Sequence, residues 1–219
     1  MAKRGRILVI NPNSNETVTE GLRQTLAPLA FTEGPEILCE TLREGPAGIE
    51  TQEHVESVAL PLRRRIESAN DVDAFVIACY SDPGLHVARE GTQSLVFGIA
   101  ECGVLTALTR ADRFGVIAIK SRSIPRHIRY LRQMGMMDRL AGERPLEMSV
   151  AESASGEGTL HRMIAVGRDL RDEDRAGAIV MGCAGMARHR RPLEDALGIP
   201  VIDPTQAAVA MAIGTLAAR

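Results

Sequence analysis

Apolar residues recur along the chain in short blocks that alternate with amphipathic stretches. Ile7 to Ile10 form one β-branched block, and it ends in the turn-rich run Asn11-Pro12-Asn13-Ser14-Asn15. Val18, Leu22, Leu26 and Leu29 follow at helical spacing, which predicts a helix over Glu16 to Leu29. Glu36 to Leu42 reads as a strand and Gly45 to Gly48 as a loop. Val55, Val58, Leu62 and Ile66 predict one amphipathic helix from His54 to Asn70, with Arg63-Arg64-Arg65 on its wet side. A strand then runs to Cys79, with a helix expected from Pro83 to Glu90. A strand from Ser94 to Ile99 follows, and Glu101-Cys102-Gly103 opens a helix over Val104 to Leu108.

From Arg113 the alternation starts again. A strand covers Phe114 to Ile119, a loop Lys120 to Ser123 and a helix Pro125 to Gln133. Leu146 to Ala151 is expected to be a strand and Gly158 to Glu173 a helix. The strand leading to Cys183 comes next, then a helix from Pro192 to Leu197, a strand Ile199 to Ile202 and an Ala-rich helix Thr205 to Ala218. Alternating strands and helices imply an α/β fold with right-handed crossovers and parallel sheets covered on both faces.

The second half repeats the first. Ile7-Leu8-Val9-Ile10 matches Gly115-Val116-Ile117-Ala118, and Phe97-Gly98-Ile99-Ala100 answers Pro200-Val201-Ile202-Asp203. The two strands that end in a cysteine lie 104 residues apart. Two pseudo-symmetric lobes follow, each a short parallel sheet flanked by helices, with one cleft between them. Each lobe brings a cysteine to the carboxyl edge of its sheet, where ligands of such sheets bind.

Composition narrows the partners. A net charge of −2 over 219 residues gives no basic surface for nucleic acid or anionic membrane, and aromatics at 3% with no Trp leave no base-stacking platform. No apolar run reaches the roughly 20 residues that span a bilayer. The basic start, Met1 to Arg6, is followed by only four apolar residues, too few for a signal-peptide core, so a cytoplasmic protein is expected. Cys39, Cys79, Cys102 and Cys183 match no zinc spacing and are expected as free thiols, Cys39 and Cys102 as small buried hydrophobes. The five histidines show no metal-ligand pattern and read as surface or helix residues. No phosphate-binding glycine motif is present.

Two thiols at one cleft suit the inversion of a carbon next to a carbonyl. One removes a proton as thiolate and the other returns one as thiol to the opposite face. Asp82-Pro83 reads as the cap and first position of a helix after Cys79, and a helix N-terminus would lower the thiol pKa.

Ile10-Asn11-Pro12-Asn13-Ser14, Ala78-Cys79-Tyr80-Ser81-Asp82-Pro83-Gly84 and Met181-Gly182-Cys183-Ala184-Gly185-Met186 resemble the three signatures of the hydantoin racemase branch of the aspartate/glutamate racemase superfamily. The resemblance covers nearly the whole chain. It implies a cofactor-independent racemase or epimerase acting on a small molecule (a hydantoin, allantoin or an amino-acid-like carbon acid) in a homo-oligomer. It makes Cys79 and Cys183 the two bases, gives the backbone of Tyr80, Ser81, Ala184 and Gly185 the contacts to the enolate, and sets Asn11 against the substrate. The C-terminal helix commonly returns to the first lobe in the family, which gives lobes of 1–101 with 205–219, and 102–204. One departure concerns substrate: Ala118-Ile119 stand where hydantoin racemases usually carry Thr-Thr. The lost hydroxyls and the nearby Lys120 suit a substrate bearing a carboxylate. Other readings stay open: a maleate-type cis-trans isomerase or a decarboxylase using one cysteine, although decarboxylases of the group keep only the second, or a binding protein without turnover.

Overall fold

The structure is a computed structural model that describes residues 5–155 and 158–218. Of the basic start, Met1 to Arg4 lie outside the described residues, as does Arg219. Eight strands form two four-stranded sheets. The first contains β1 (Arg6–Asn11), β2 (Glu36–Thr41), β3 (Ala74–Ile77) and β4 (Leu95–Gly98) in the order β2-β1-β3-β4. The second contains β5 (Phe114–Ala118), β6 (Leu140–Pro145), β7 (Ala178–Met181) and β8 (Val201–Ile202) in the order β6-β5-β7-β8. All pairings are parallel, and the order in the second sheet repeats that of the first, as the sequence repeat predicts.

The helices are α1 (Glu16–Leu26), α2 (Gln52–Ser57), α3 (Ala59–Glu67), α4 (Leu85–Glu90), α5 (Ile99–Leu108), α6 (Ile124–Gln133), α7 (Val150–Ser155), α8 (Thr159–Asp172), α9 (Arg190–Leu197) and α10 (Pro204–Ala217). None is long and apolar enough to cross a membrane. Strands β3 and β7 are buried along their whole length, as strands covered on both faces must be.

The helix predicted over His54 to Asn70 is broken at Val58 into α2 and α3. Pro61 explains the break: it has no N–H to give the carbonyl of Ser57, so the two turns cannot join as one regular helix. The first helix likewise ends at Leu26, where Pro28 turns the chain into a short 3-10 turn over Ala27–Leu29.

The strand expected at Leu146 to Ala151 is displaced. The strand of that sheet is β6, six residues earlier, a polar edge strand that ends in Pro145. Leu146 and Met148 still donate to the carbonyls of Ala118 and Ile119 at 2.8 and 2.9 Å, but the chain then enters α7. Ser149 and Glu152 start that helix as a reciprocal capping pair. The Glu152 carboxylate accepts from the Ser149 N–H at 2.7 Å, and Ser149 Oγ accepts from the Glu152 N–H at 3.2 Å.

One apolar core crosses from sheet to sheet. It joins Ile7, Val9, Ala74 and Val76 to Phe114, Val116, Ala178 and Val180 through residues of α5 and α10. The boundary expected after residue 101 falls inside α5, which packs on α10 and on strands of both sheets. Helix α10 packs on α5, α1 and β3.

Candidate active site

In each sheet the chain leaves the second central strand on the opposite side from the first. The crevice beyond the carboxyl ends of β1 and β3, and of β5 and β7, is therefore where loops diverge and a ligand can enter. A cavity lies there, lined by residues from the loops of both sheets. Asn13 reaches it from the loop after β1, Cys79 from β3, Ile119 from β5 and Cys183 from β7. The two cysteines, 104 residues apart in sequence, line this one cavity from different sheets.

The local chemistry of the two thiols is also repeated. The Ser81 N–H hydrogen-bonds to the Cys79 thiol, and the Gly185 N–H to the Cys183 thiol, two residues on in each case. Cys183 has a further partner in Ser153, whose Oγ lies 3.7 Å from Sγ. Gly182 must lack a side chain, because a Cβ there would stand 2.6 Å from the Ile117 carbonyl oxygen.

Burial dominates the acidity of both thiols. It pushes Cys79 up to about 12, against the smaller opposing pulls of the Ser81 N–H and of Arg126. It also raises Cys183, against the Gly185 N–H and Ser153. The lowering expected from a helix N-terminus is not found. Cys183 precedes a 3-10 turn (Ala184–His189), and α4 begins only at Leu85, six residues beyond Cys79.

Asp82 does not cap the helix that follows it. Gly84, in the left-handed region at φ 69°, occupies that position instead. The buried Asp82 carboxylate caps α5, accepting from the N–H groups of Ala100 and Glu101 at 2.9 Å each. Gly98 permits this approach, since a Cβ there would fall 2.3 Å from the carboxylate. Burial pushes Asp82 up to about 7 in spite of these two bonds.

Tyr80, Ser81, Ala184 and Gly185 line the cavity as expected from the turns that carry them. Asn11 does not. Its fully buried amide donates to Asn13 Oδ1, Asn15 O and Thr19 Oγ1 at 3.0 to 3.1 Å, so it ties the loop together and Asn13 is the residue at the cavity. Lys120 also stands outside the lining. Its Nζ is held by Glu50 Oε2 at 2.8 Å, and the same oxygen takes Arg122 at 2.9 Å.

Several lining residues escape the sequence reading. Arg126 and His127 arrive on the first turns of α6, whose amphipathic pattern gives no hint of a cavity. Arg126 Nε donates to Ser81 Oγ at 3.1 Å. His127 is buried rather than superficial, sets its ring edge-on to Tyr80 with centroids 5.1 Å apart, and pairs with the buried Glu143. Val150 lines the cavity at the start of α7, and Ser153 meets Cys183 one turn later. The Ser149-x-x-Glu152 capping pattern was the available signal for that helix.

Comparison with known proteins agrees with the fold. Residues 7–212 match the Asp/Glu/hydantoin racemase family. A hydantoin racemase of Pseudomonas sp. (strain NS671) is 37% identical over 211 residues, covering 94% of this chain and 84% of the relative. An allantoin racemase from Klebsiella pneumoniae superposes with a TM-score of 0.91 at 34% identity, covering 98% of this chain and 88% of that one. An allantoin racemase from Pseudomonas fluorescens gives 0.92 at 26% identity, with 97% and 91% covered. The chain belongs to the Asp/Glu/hydantoin racemase family.

Proposed function

We propose that the protein racemises a small carbon acid of the hydantoin or allantoin type by two-base proton transfer between Cys79 and Cys183, without a cofactor. The observation that carries this reading is the pair of thiols lining one cavity from two repeated lobes, each with an N–H bond from two residues on. One cysteine, as thiolate, takes the proton from the stereogenic carbon and becomes a thiol. The other thiol delivers its proton to the opposite face and becomes the thiolate, so the pair ends with the same charge and inverted roles. Between the two transfers the charge rests on the oxygen of the adjacent carbonyl. We assign the turn N–H groups of Tyr80 and Ala184 to that oxygen, and Asn13 to the ring. The ring carbonyls and nitrogens acidify the carbon, which lets thiols suffice as bases.

The test is racemisation of optically pure 5-substituted hydantoins and allantoin, followed by polarimetry and by deuterium uptake in heavy water. The Cys79→Ser and Cys183→Ser variants should each lose interconversion by at least about a hundredfold. Racemisation at the wild-type rate by either variant would end the two-base scheme.

A further inference from the structure

Arg126 is the cation of the cavity, and its charge is not answered. Its one hydrogen bond is from Nε to the neutral Ser81 hydroxyl, and no carboxylate lies within ion-pair distance among the described residues. Other partly buried arginines of this chain are treated differently. Arg65 takes Glu40 through both Nε and Nη2, and Arg144 takes Asp174 in the same way. Glu143 attracts Arg126 from beyond ion-pair distance; its Oε1 is engaged by His127 and its buried Oε2 has no hydrogen-bond partner among the described residues. Burial lowers the pKa of Arg126, and Arg122 and Arg129 crowd it further. Those three arginines line a groove that adjoins the catalytic cavity and meets it at Arg126. Arg122 is paired there with Glu50, and Arg129 bonds only the neutral Gln52 side chain. A guanidinium with its fork unoccupied, at the mouth of a small cavity and under a positive rim, is a receptor for a planar anion.

We infer that Arg126 selects substrates whose ring substituent ends in a carboxylate, so that the preferred substrate is an acidic, 5-carboxyalkyl-type hydantoin rather than a neutral one. This rests on the racemase reading above. The carboxylate accepts two parallel N–H bonds from Arg126 while the ring lies between the thiols. The carboxylate expected from Lys120 thus finds its partner one turn further on, because Lys120 is held by Glu50.

The experiment compares three hydantoins substituted at C5 with 2-carboxyethyl, 2-carbamoylethyl or isobutyl. The wild-type protein, Arg126→Gln and Arg126→Lys are each assayed by polarimetry. In the wild type, kcat/KM for the carboxylate should exceed that for the isosteric amide by at least about tenfold, the discrimination expected of a charge-assisted pair. Arg126→Gln should bring that ratio near one and cost the carboxylate substrate at least tenfold more than the isobutyl one. Arg126→Lys should recover part of the preference. Two results overturn the inference while leaving the racemase reading intact: isobutylhydantoin racemised with no carboxylate preference, or equal losses on all three substrates in Arg126→Gln, which would make Arg126 a partner of the Cys79 thiolate alone. Failure of the wild type to racemise any of the three would overturn the racemase reading for hydantoins and this inference with it.

Discussion

The free protein should hold both cavity thiols protonated, and this can be measured. Burial takes Cys79 from an ordinary 9.0 to about 12. At pH 8 the thiolate fraction then falls from about one in ten to about one in ten thousand, a ~10³-fold loss that corresponds to about 4 kcal/mol. Because only the thiolate is alkylated, labelling of Cys79 by iodoacetamide should be slow at neutral pH. It should rise about tenfold per pH unit from pH 7 to 10 without levelling off. Peptide mass spectrometry after timed quenching resolves the four cysteines separately. The half-buried Cys39, pushed up to about 11, serves as a comparator whose curve should bend about one unit earlier. A Cys79 rate that levels off below pH 9 would refute the reasoning. The thiolate would then be stored in the free protein, and the Ser81 N–H and Arg126 would outweigh burial.

Two further outcomes follow from contacts around the cavity. Ser153→Ala removes the hydrogen bond that pulls the Cys183 thiol down. kcat/KM should fall about fivefold, the equivalent of ~1 kcal/mol, and equally for both enantiomers because their equilibrium constant is one. Unchanged initial rates would remove Ser153 from the machinery. Glu50 ties the loop after β2 to Lys120, Arg122 and the Val150 N–H. Burial pushes its carboxyl up, but the bonds from Lys120, Val150 and Arg122 together hold it below its ordinary 4.5. A lowered folded-state pKa means that the stability Glu50 confers is present above pH 4.5 and is lost as pH falls through the lower, folded value. Glu50→Gln should therefore cost about 1–3 kcal/mol in urea unfolding at pH 7, with the difference shrinking as pH falls below 4.5. A cost that is the same at both pH values would contradict this assignment.

The sequence carries the lobes and the thiols because both rest on local patterns. Runs such as Phe75 to Ile77 and Ile179 to Met181 are apolar throughout, as covered parallel strands must be, and their repetition shows the symmetry directly. Residues whose role depends on a long-range contact were illegible. Nothing local distinguishes Asn11, which closes a loop on Thr19, from Asn13, which reaches the cavity. The Asp82-Pro83 pair reads as a cap for the nearest helix, although the Asp82 carboxylate serves α5, which begins seventeen residues on in the chain. Lys120 reads from the sequence as an anion receptor, but Glu50, 70 residues away, already occupies it. The missed Ser153 has another cause. Leu146 to Ala151 has strand-like composition, and the capping pair Ser149 and Glu152 overrides it.

Helix α5 has a mechanical consequence. Its first turn is pinned by Asp82, three residues beyond Cys79, while Gly103 on its flank sits against Val180, three residues before Cys183. A Cβ at Gly103 would come within 3.2 Å of the Val180 side chain. The helix is thus a strut between the two cysteine strands, and the gap between the thiols is set by a rigid body instead of by the loops that line the cavity. The Glu50 contacts to Lys120 and the Val150 N–H are a second tie between the two halves of the chain.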